Sequence, residues 1–82
     1  MQYIVYIIQS EVTKRYYVGQ TGDLERRMFQ HNSGQNKSTK HGVPWRLRYA
    51  KSFLTHNEAM SCELQVKNRG AARYLRDMAQ PG

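Results

Sequence analysis

Apolar side chains along this chain fall into blocks with different periods. From Tyr3 to Gln9 they occupy both alternating faces of a run rich in β-branched and aromatic residues, as expected of a strand covered on both sides. Such a strand belongs at the centre of a sheet. The polar stretch Ser10 to Lys14 separates it from Arg15 to Gly19, which carries two tyrosines and a valine. So short a gap favours an antiparallel return, making a hairpin. Thr21, Gly22 and Asp23 supply helix-start signals, and Leu24 to His31 meets no breaker before Asn32, Ser33 and Gly34. A helix is therefore predicted over about Asp23 to Asn32.

Asn32 to Pro44 is polar, basic and glycine-containing and reads as a loop. Trp45, Leu47 and Tyr49 then alternate with Arg46 and Arg48, the period-two signature of a strand with one buried face. Thr55-His56-Asn57-Glu58 has the form of a capping box, in which hydroxyl and carboxylate reciprocally satisfy free amides at a helix start. It predicts a second helix from about Glu58 to Asn68. Arg69 to Ala79 places Ala71, Leu75 and Met78 on one face, consistent with a third helix packed through them, and Gly70 marks the turn between the two. The expected fold is α+β: a three-stranded antiparallel sheet flanked by helices, in the order β-β-α-β-α-α, in a single compact domain.

Length and charge narrow the picture. A chain of 82 residues makes one small core, and deep cofactor cavities are not expected of it. Thirteen Lys and Arg against six Asp and Glu give a formal charge of +7 and a pI of about 9.9, which makes nucleic acid the leading partner class. The longest apolar run, Tyr3 to Ile8, is far short of the ~20 residues a spanning helix needs. No basic region precedes it, so no secretory leader and no membrane partner are expected, and the expected location is cytoplasmic. Cys62 stands alone, and His31, His41 and His56 show no metal-ligand spacing.

Projected at about 100° per residue, the first helix has Leu24 and Met28 at the centre of its apolar face, Arg27 and His31 on its shoulder, and Arg26 and Gln30 pointing away. Arg27 and His31 are either a solvated basic shoulder or a pair that converges on an anion. In the second helix Ala59, Met60, Cys62 and Val66 form an arc with Glu63 in its middle, and Ser61 and Gln65 lie opposite. An inward carboxylate needs a partner. For Glu63 that is either a cation such as Lys67 or a helix-1 arginine, or a bound metal. Tyr6 and Tyr17, taken singly, are ordinary sheet aromatics.

In combination these residues form a known order of motifs. Ile4-Val5-Tyr6, Tyr17-Val18-Gly19, Asp23-Leu24-Glu25-Arg26-Arg27 with His31-Asn32-Ser33-Gly34, then Glu58-Ala59 and Glu63 together resemble the GIY-YIG nuclease superfamily, and most closely its small stand-alone bacterial members. The resemblance covers nearly the whole chain and implies one nuclease-like domain over residues 1–82. It implies that Tyr6 and Tyr17 are the paired motif tyrosines, that Arg27 contacts the scissile phosphate, that His31 occupies the family's His-or-Tyr helix position, and that Glu63 is the carboxylate holding a divalent metal. Gly19 matches the second-motif glycine, where substrate or the helix would approach the backbone. Ile4 stands in place of the first-motif glycine, Gln20 where excision-repair relatives carry lysine, and Leu75 where some larger relatives contribute an asparagine.

These residue types suit phosphodiester hydrolysis, which needs an activated water and charge stabilisation on phosphoryl oxygens. A lone carboxylate can anchor Mg²⁺ or Mn²⁺, since such an ion keeps waters and takes phosphate oxygens. An arginine fork binds phosphate directionally. Tyr17 is the favoured general base, with Tyr6 and His31 positioning water or relaying the proton. Lys37, Lys40 and His41 in the loop, and Arg69, Arg73 and Arg76 on the third helix, either track a nucleic-acid backbone or are simply solvated. The expected activity is a metal-dependent endonuclease of low sequence specificity, acting on DNA in preference to RNA, with a protein partner as a source of substrate specificity. Its rivals are a catalytically inactive nucleic-acid-binding module on the same fold and a protein-interaction module.

Overall fold

A computed structural model describes residues 2–79; the ends of the expected 1–82 domain, residue 1 and residues 80–82, lie outside them. The elements are β1 (Tyr3–Ser10), β2 (Tyr16–Thr21), α1 (Leu24–Asn32), a short 3₁₀ turn (Lys40–Gly42), β3 (Trp45–Phe53), α2 (His56–Arg69) and α3 (Ala71–Ala79). They form an antiparallel sheet in the order β2-β1-β3 with three helices, the predicted α+β arrangement. Among the described residues no helix is long and apolar enough to cross a membrane.

The continuous apolar run of β1 lies at the centre of the sheet, with Val5 to Ile8 fully buried. Val5 and Ile7 face α2 and α3, packing with Ala59, Cys62 and Val66 and with the half-buried Tyr49, Tyr74 and Leu75. Tyr6 and Ile8 face the other way, toward α1, with Trp45, Tyr17, Leu24, Met28 and Val43. In the β1–β2 turn the buried Ser10 hydroxyl accepts from the amides of Val12 and Thr13, while Lys14 takes a left-handed conformation at φ 68°.

Strand β3 departs from its expected single buried face. Its register slips between Ile7 and Ile8, so that Ile8 pairs with Leu47 and Ile7 with Tyr49. Arg48 is the extra residue of a β-bulge, which shifts the alternation by one. Trp45 and Leu47 therefore lie on the α1 side, Leu47 partly exposed at 41%, whereas Tyr49 and Phe53 join the α2 side.

The caps follow the sequence signals. Asp23 accepts from the Arg26 amide, and Thr55 accepts from the Glu58 amide. The Glu58 carboxylate takes the Thr55 hydroxyl, not the free amide that a reciprocal capping box would give it. Gly70 ends α2 at φ 92°, a left-handed conformation that favours glycine. Two methionines assigned inward are exposed: Met60 at 42% and Met78 at 58%. In α3 the residues packed against the core are Ala71, Tyr74 and Leu75.

Candidate active site

Tyr6 comes from the middle of β1 and is completely buried. Gly19 of β2 stands opposite it in register. A Cβ at Gly19 would lie 2.6 Å from the Tyr6 hydroxyl and 3.1 Å from Tyr17 Cε1, so only a residue without a side chain leaves room for the phenol to lie across β2. The close approach observed at this glycine is made by the Tyr6 ring. Tyr17 is half-buried beside it, with ring centroids 6.4 Å from Tyr6 and 5.1 Å, edge-on, from His31.

Helix α1 adds two groups one turn apart. His31 sits deeper than the shoulder position read from periodicity: it is fully buried, with Nε2 2.9 Å from the Tyr6 hydroxyl and Nδ1 2.8 Å from Thr39 Oγ1. Arg27 donates from Nε to the Tyr6 oxygen at 3.4 Å and from Nη1 to Gln30 Oε1 at 3.1 Å. Gln30, placed on the opposite side by the helical projection, is turned back toward Arg27 by that bond. Arg27, Gln30, Gln35 and Asn36 line an open pocket of about 210 Å³.

The electrostatics follow from this packing. Burial pushes the Tyr6 phenol above its ordinary value; the Arg27 guanidinium works against that, and the charges of Tyr17 and Glu63 add to it. Tyr6 at rest is a protonated phenol. Burial, and then the nearby Arg27 charge, hold His31 below its ordinary value, so it is a neutral imidazole at pH 7. The Tyr6 hydroxyl is the largest of the causes that keep Arg27 protonated.

Glu63 reaches this group from the far side of the sheet. Gln20 pairs with Val5 and so faces α2; its Nε2 donates to Glu63 Oε1 at 3.4 Å. Glu63 Oε2 forms an ion pair with Lys67 at 2.8 Å, with side-chain exposures of 20% for Glu63 and 53% for Lys67. The site therefore wraps around β2, an edge strand: the tyrosines, Arg27 and His31 on one side, Glu63 on the other.

Among the described residues no group of three His, Cys, Asp or Glu side chains could form a metal cage. A hydrated ion does not need one. Glu63 offers one oxygen held only by a long hydrogen bond and another held by an exposed lysine, which fits an ion that takes a single protein ligand and fills its shell with water and phosphate.

Lys37, Lys40 and His41 are all exposed in a segment that is more built than a solvated loop. Thr39 is buried among them, bonded to His31 through its hydroxyl and accepting the Trp45 indole N–H through its carbonyl at 2.7 Å. Asn32 fastens the segment's far end by pairing with both the amide and the carbonyl of Trp45. Sequence reasoning passed over Thr39 altogether, and it named Gln20 and Gln30 without foreseeing their contacts with Glu63 and Arg27. Thr39 lies in a polar stretch with no periodicity, and no local signal marks it.

Comparison with known proteins shows the family. Residues 2–75 match the GIY-YIG catalytic domain. UPF0213 protein YsiG of Lactococcus lactis is 44% identical over 69 residues, covering 83% of this chain and 65% of that protein. The structure-specific endonuclease subunit slx1 of Schizosaccharomyces pombe is 34% identical over 82 residues, covering 92% of this chain and 30% of that protein. The chain thus spans less than two thirds of either relative. The solution structure of UPF0213 protein BH0048 from Bacillus halodurans superposes with a TM-score of 0.60 at 31% identity, covering 96% of this chain and 84% of that one. With the motif residues gathered around one sheet edge and a family match running through nearly every element, the chain belongs to the GIY-YIG catalytic-domain family.

Proposed function

We propose that this chain is a divalent-metal-dependent endonuclease that hydrolyses phosphodiester bonds in nucleic acid, DNA ahead of RNA, with low sequence specificity. One observation carries the proposal: an arginine, two phenols and a neutral imidazole cluster on one side of the edge strand β2, and a carboxylate bonded to Gln20 of that strand lies on the other. Arg27 would grip a non-bridging phosphate oxygen with N–H groups not engaged by Gln30 or Tyr6, and that contact would strengthen as charge develops. Glu63 would hold Mg²⁺ or Mn²⁺, which when bound supplies charge neutralisation and an acidified water. Tyr17 is the better candidate for the base. Tyr6 is fully buried and its phenol is shifted upward, the wrong direction for proton abstraction, which suits it to positioning.

Lys37, Lys40 and His41 would contact phosphates flanking the cut. The relative named a structure-specific endonuclease subunit supports branched or flapped substrates and a partner protein that selects them. The Glu63–Lys67 pair favours the second reading, a binding module with an idle site, because the carboxylate already has its counter-ion.

Incubation with labelled single-stranded, duplex, flapped and RNA substrates, in Mg²⁺, Mn²⁺ or chelator, separates the two. Cleavage that needs metal and disappears in Glu63→Gln, with binding retained, supports the nuclease. Tight salt-sensitive binding without cleavage under any metal establishes the module instead.

A further inference from the structure

Four side chains form one hydrogen-bonded row from the interior to the site: Thr39, His31, Tyr6 and Arg27. Thr39 is 1% exposed, and His31 and Tyr6 are fully buried, so water cannot stand in for a missing partner. The direction of the row follows from what each group can do. Arginine can only donate, so the Tyr6 oxygen is an acceptor toward Arg27. Tyr6 has one proton of its own, and the neighbouring atom that can accept it is His31 Nε2 at 2.9 Å. A neutral imidazole that accepts at Nε2 carries its proton on Nδ1, and that proton points at Thr39 Oγ1, 2.8 Å away. The opposite direction would leave the Tyr6 proton buried without an acceptor. Because a phenol is a stronger donor than an aliphatic hydroxyl, this direction leaves only the weaker donor, the Thr39 O–H, to find an acceptor elsewhere.

We propose that Thr39 is a positioning residue that fixes His31 as its Nδ1–H tautomer and thereby turns the Tyr6 oxygen toward Arg27 as an acceptor. Tyr6 then presents a lone pair, not a proton, to the guanidinium, and the fork of Arg27 is held in register for phosphate. Thr39 is itself anchored through its carbonyl by the Trp45 indole. The segment carrying Lys37, Lys40 and His41 thus sets the polarity of the site from behind. The kinetic consequence rests on the nuclease reading given above; the tautomer and the Arg27 contact do not.

The first measurement uses the unmodified protein. Two-bond ¹⁵N–¹H correlation of the imidazole nitrogens, with the His31 signals assigned by their loss in His31→Gln, should show a protonated Nδ1 and a bare Nε2. The reverse pattern overturns the proposal by itself, whatever the enzyme cuts. In Thr39→Val, nearly isosteric but unable to accept, the Nδ1–H signature should be lost or mixed and Arg27 Nε–H exchange with solvent should speed up. Thr39→Ser should restore both. Turnover at saturating substrate should fall roughly tenfold in Thr39→Val, the size of one hydrogen bond of about 1.4 kcal/mol, with KM little changed. A folded Thr39→Val that keeps the wild-type tautomer and Arg27 exchange overturns the positioning role. Should no substrate be cut, the nuclease reading fails while the tautomer and exchange results still decide the role of Thr39.

Discussion

The two sides of the sheet are built from the same central strand and solve different problems. On the α2 side, β1 buries Val5 and Ile7 against Ala59, Cys62 and Val66, an assembly of apolar side chains that gain stability from contact alone. On the α1 side it buries Tyr6 and Ile8 beside His31 and Thr39, where every polar atom must be paired. None of the buried side-chain polar atoms among the described residues lacks a partner. One face supplies stability through packing; the other accepts a polar interior and the constraints it brings. A strand read twice, at odd and at even positions, lets a chain of this length carry both.

The comparison can be broken at several points. Ile7→Ala on the packed side should lower unfolding free energy by about 2–5 kcal/mol, measured by urea titration, while turnover per folded molecule stays at the wild-type value. A large loss of turnover there would mean that the two sides are not separable. Arg27→Ala should do the reverse, cutting saturated turnover by about 10²–10³-fold with little effect on the urea midpoint. Gly19→Ala falls between them: the new methyl meets the Tyr6 hydroxyl, so overpacking should cost about 1–3 kcal/mol and turnover should fall as well, because the displaced ring belongs to the site. If Gly19→Ala melts and cuts normally, the Tyr6 placement is wrong.

A smaller effect concerns pH. Burial and Arg27 depress the folded-state value of His31, so the unfolded chain binds the proton more readily. The contribution of neutral His31 to stability is therefore fully present above about pH 6.5, the unfolded value, and is lost as pH falls toward the lower folded value. Urea midpoints between about pH 7.5 and 5 should drop more steeply for the wild type than for His31→Gln; parallel curves would contradict the buried neutral imidazole. Smallest of all, Lys37→Ala with Lys40→Ala should leave stability alone and make the plot of log affinity against log salt shallower, by roughly 0.7 per lost contact on single strands and 0.9 on duplex. An unchanged slope would make these lysines bystanders.

What could be read in the sequence divides along the same line. The central place of β1 was legible because an unbroken apolar run needs cover on both faces, and the helix starts were legible because Asp23 and Thr55 act within three residues of themselves. The order of the motifs brought Tyr6, Tyr17, Arg27, His31 and Glu63 into view, although not that Glu63 would approach around the edge of β2. The bulge at Arg48 was hidden: Arg46-Leu47-Arg48-Tyr49 alternates regularly, and nothing within the strand says that Arg48 will be left out of the pairing with β1. Thr39 was hidden for a related reason. Its importance comes from a histidine eight residues away, and single-chain periodicity carries no information about such a contact.

The irregularity in β3 also bears on what this molecule does at high concentration. β3 is the outer strand opposite β2, and the outer edge of a nine-residue strand, which no other described strand covers, is a template on which another chain can add itself. The Arg48 bulge interrupts the even spacing that an incoming strand would need, and Arg46, Arg48 and Lys51 are all exposed along it. Two copies brought edge to edge would meet a mismatched ladder and like charges. The same slip that divides Trp45 from Tyr49 between two cores therefore also discourages aggregation along that strand.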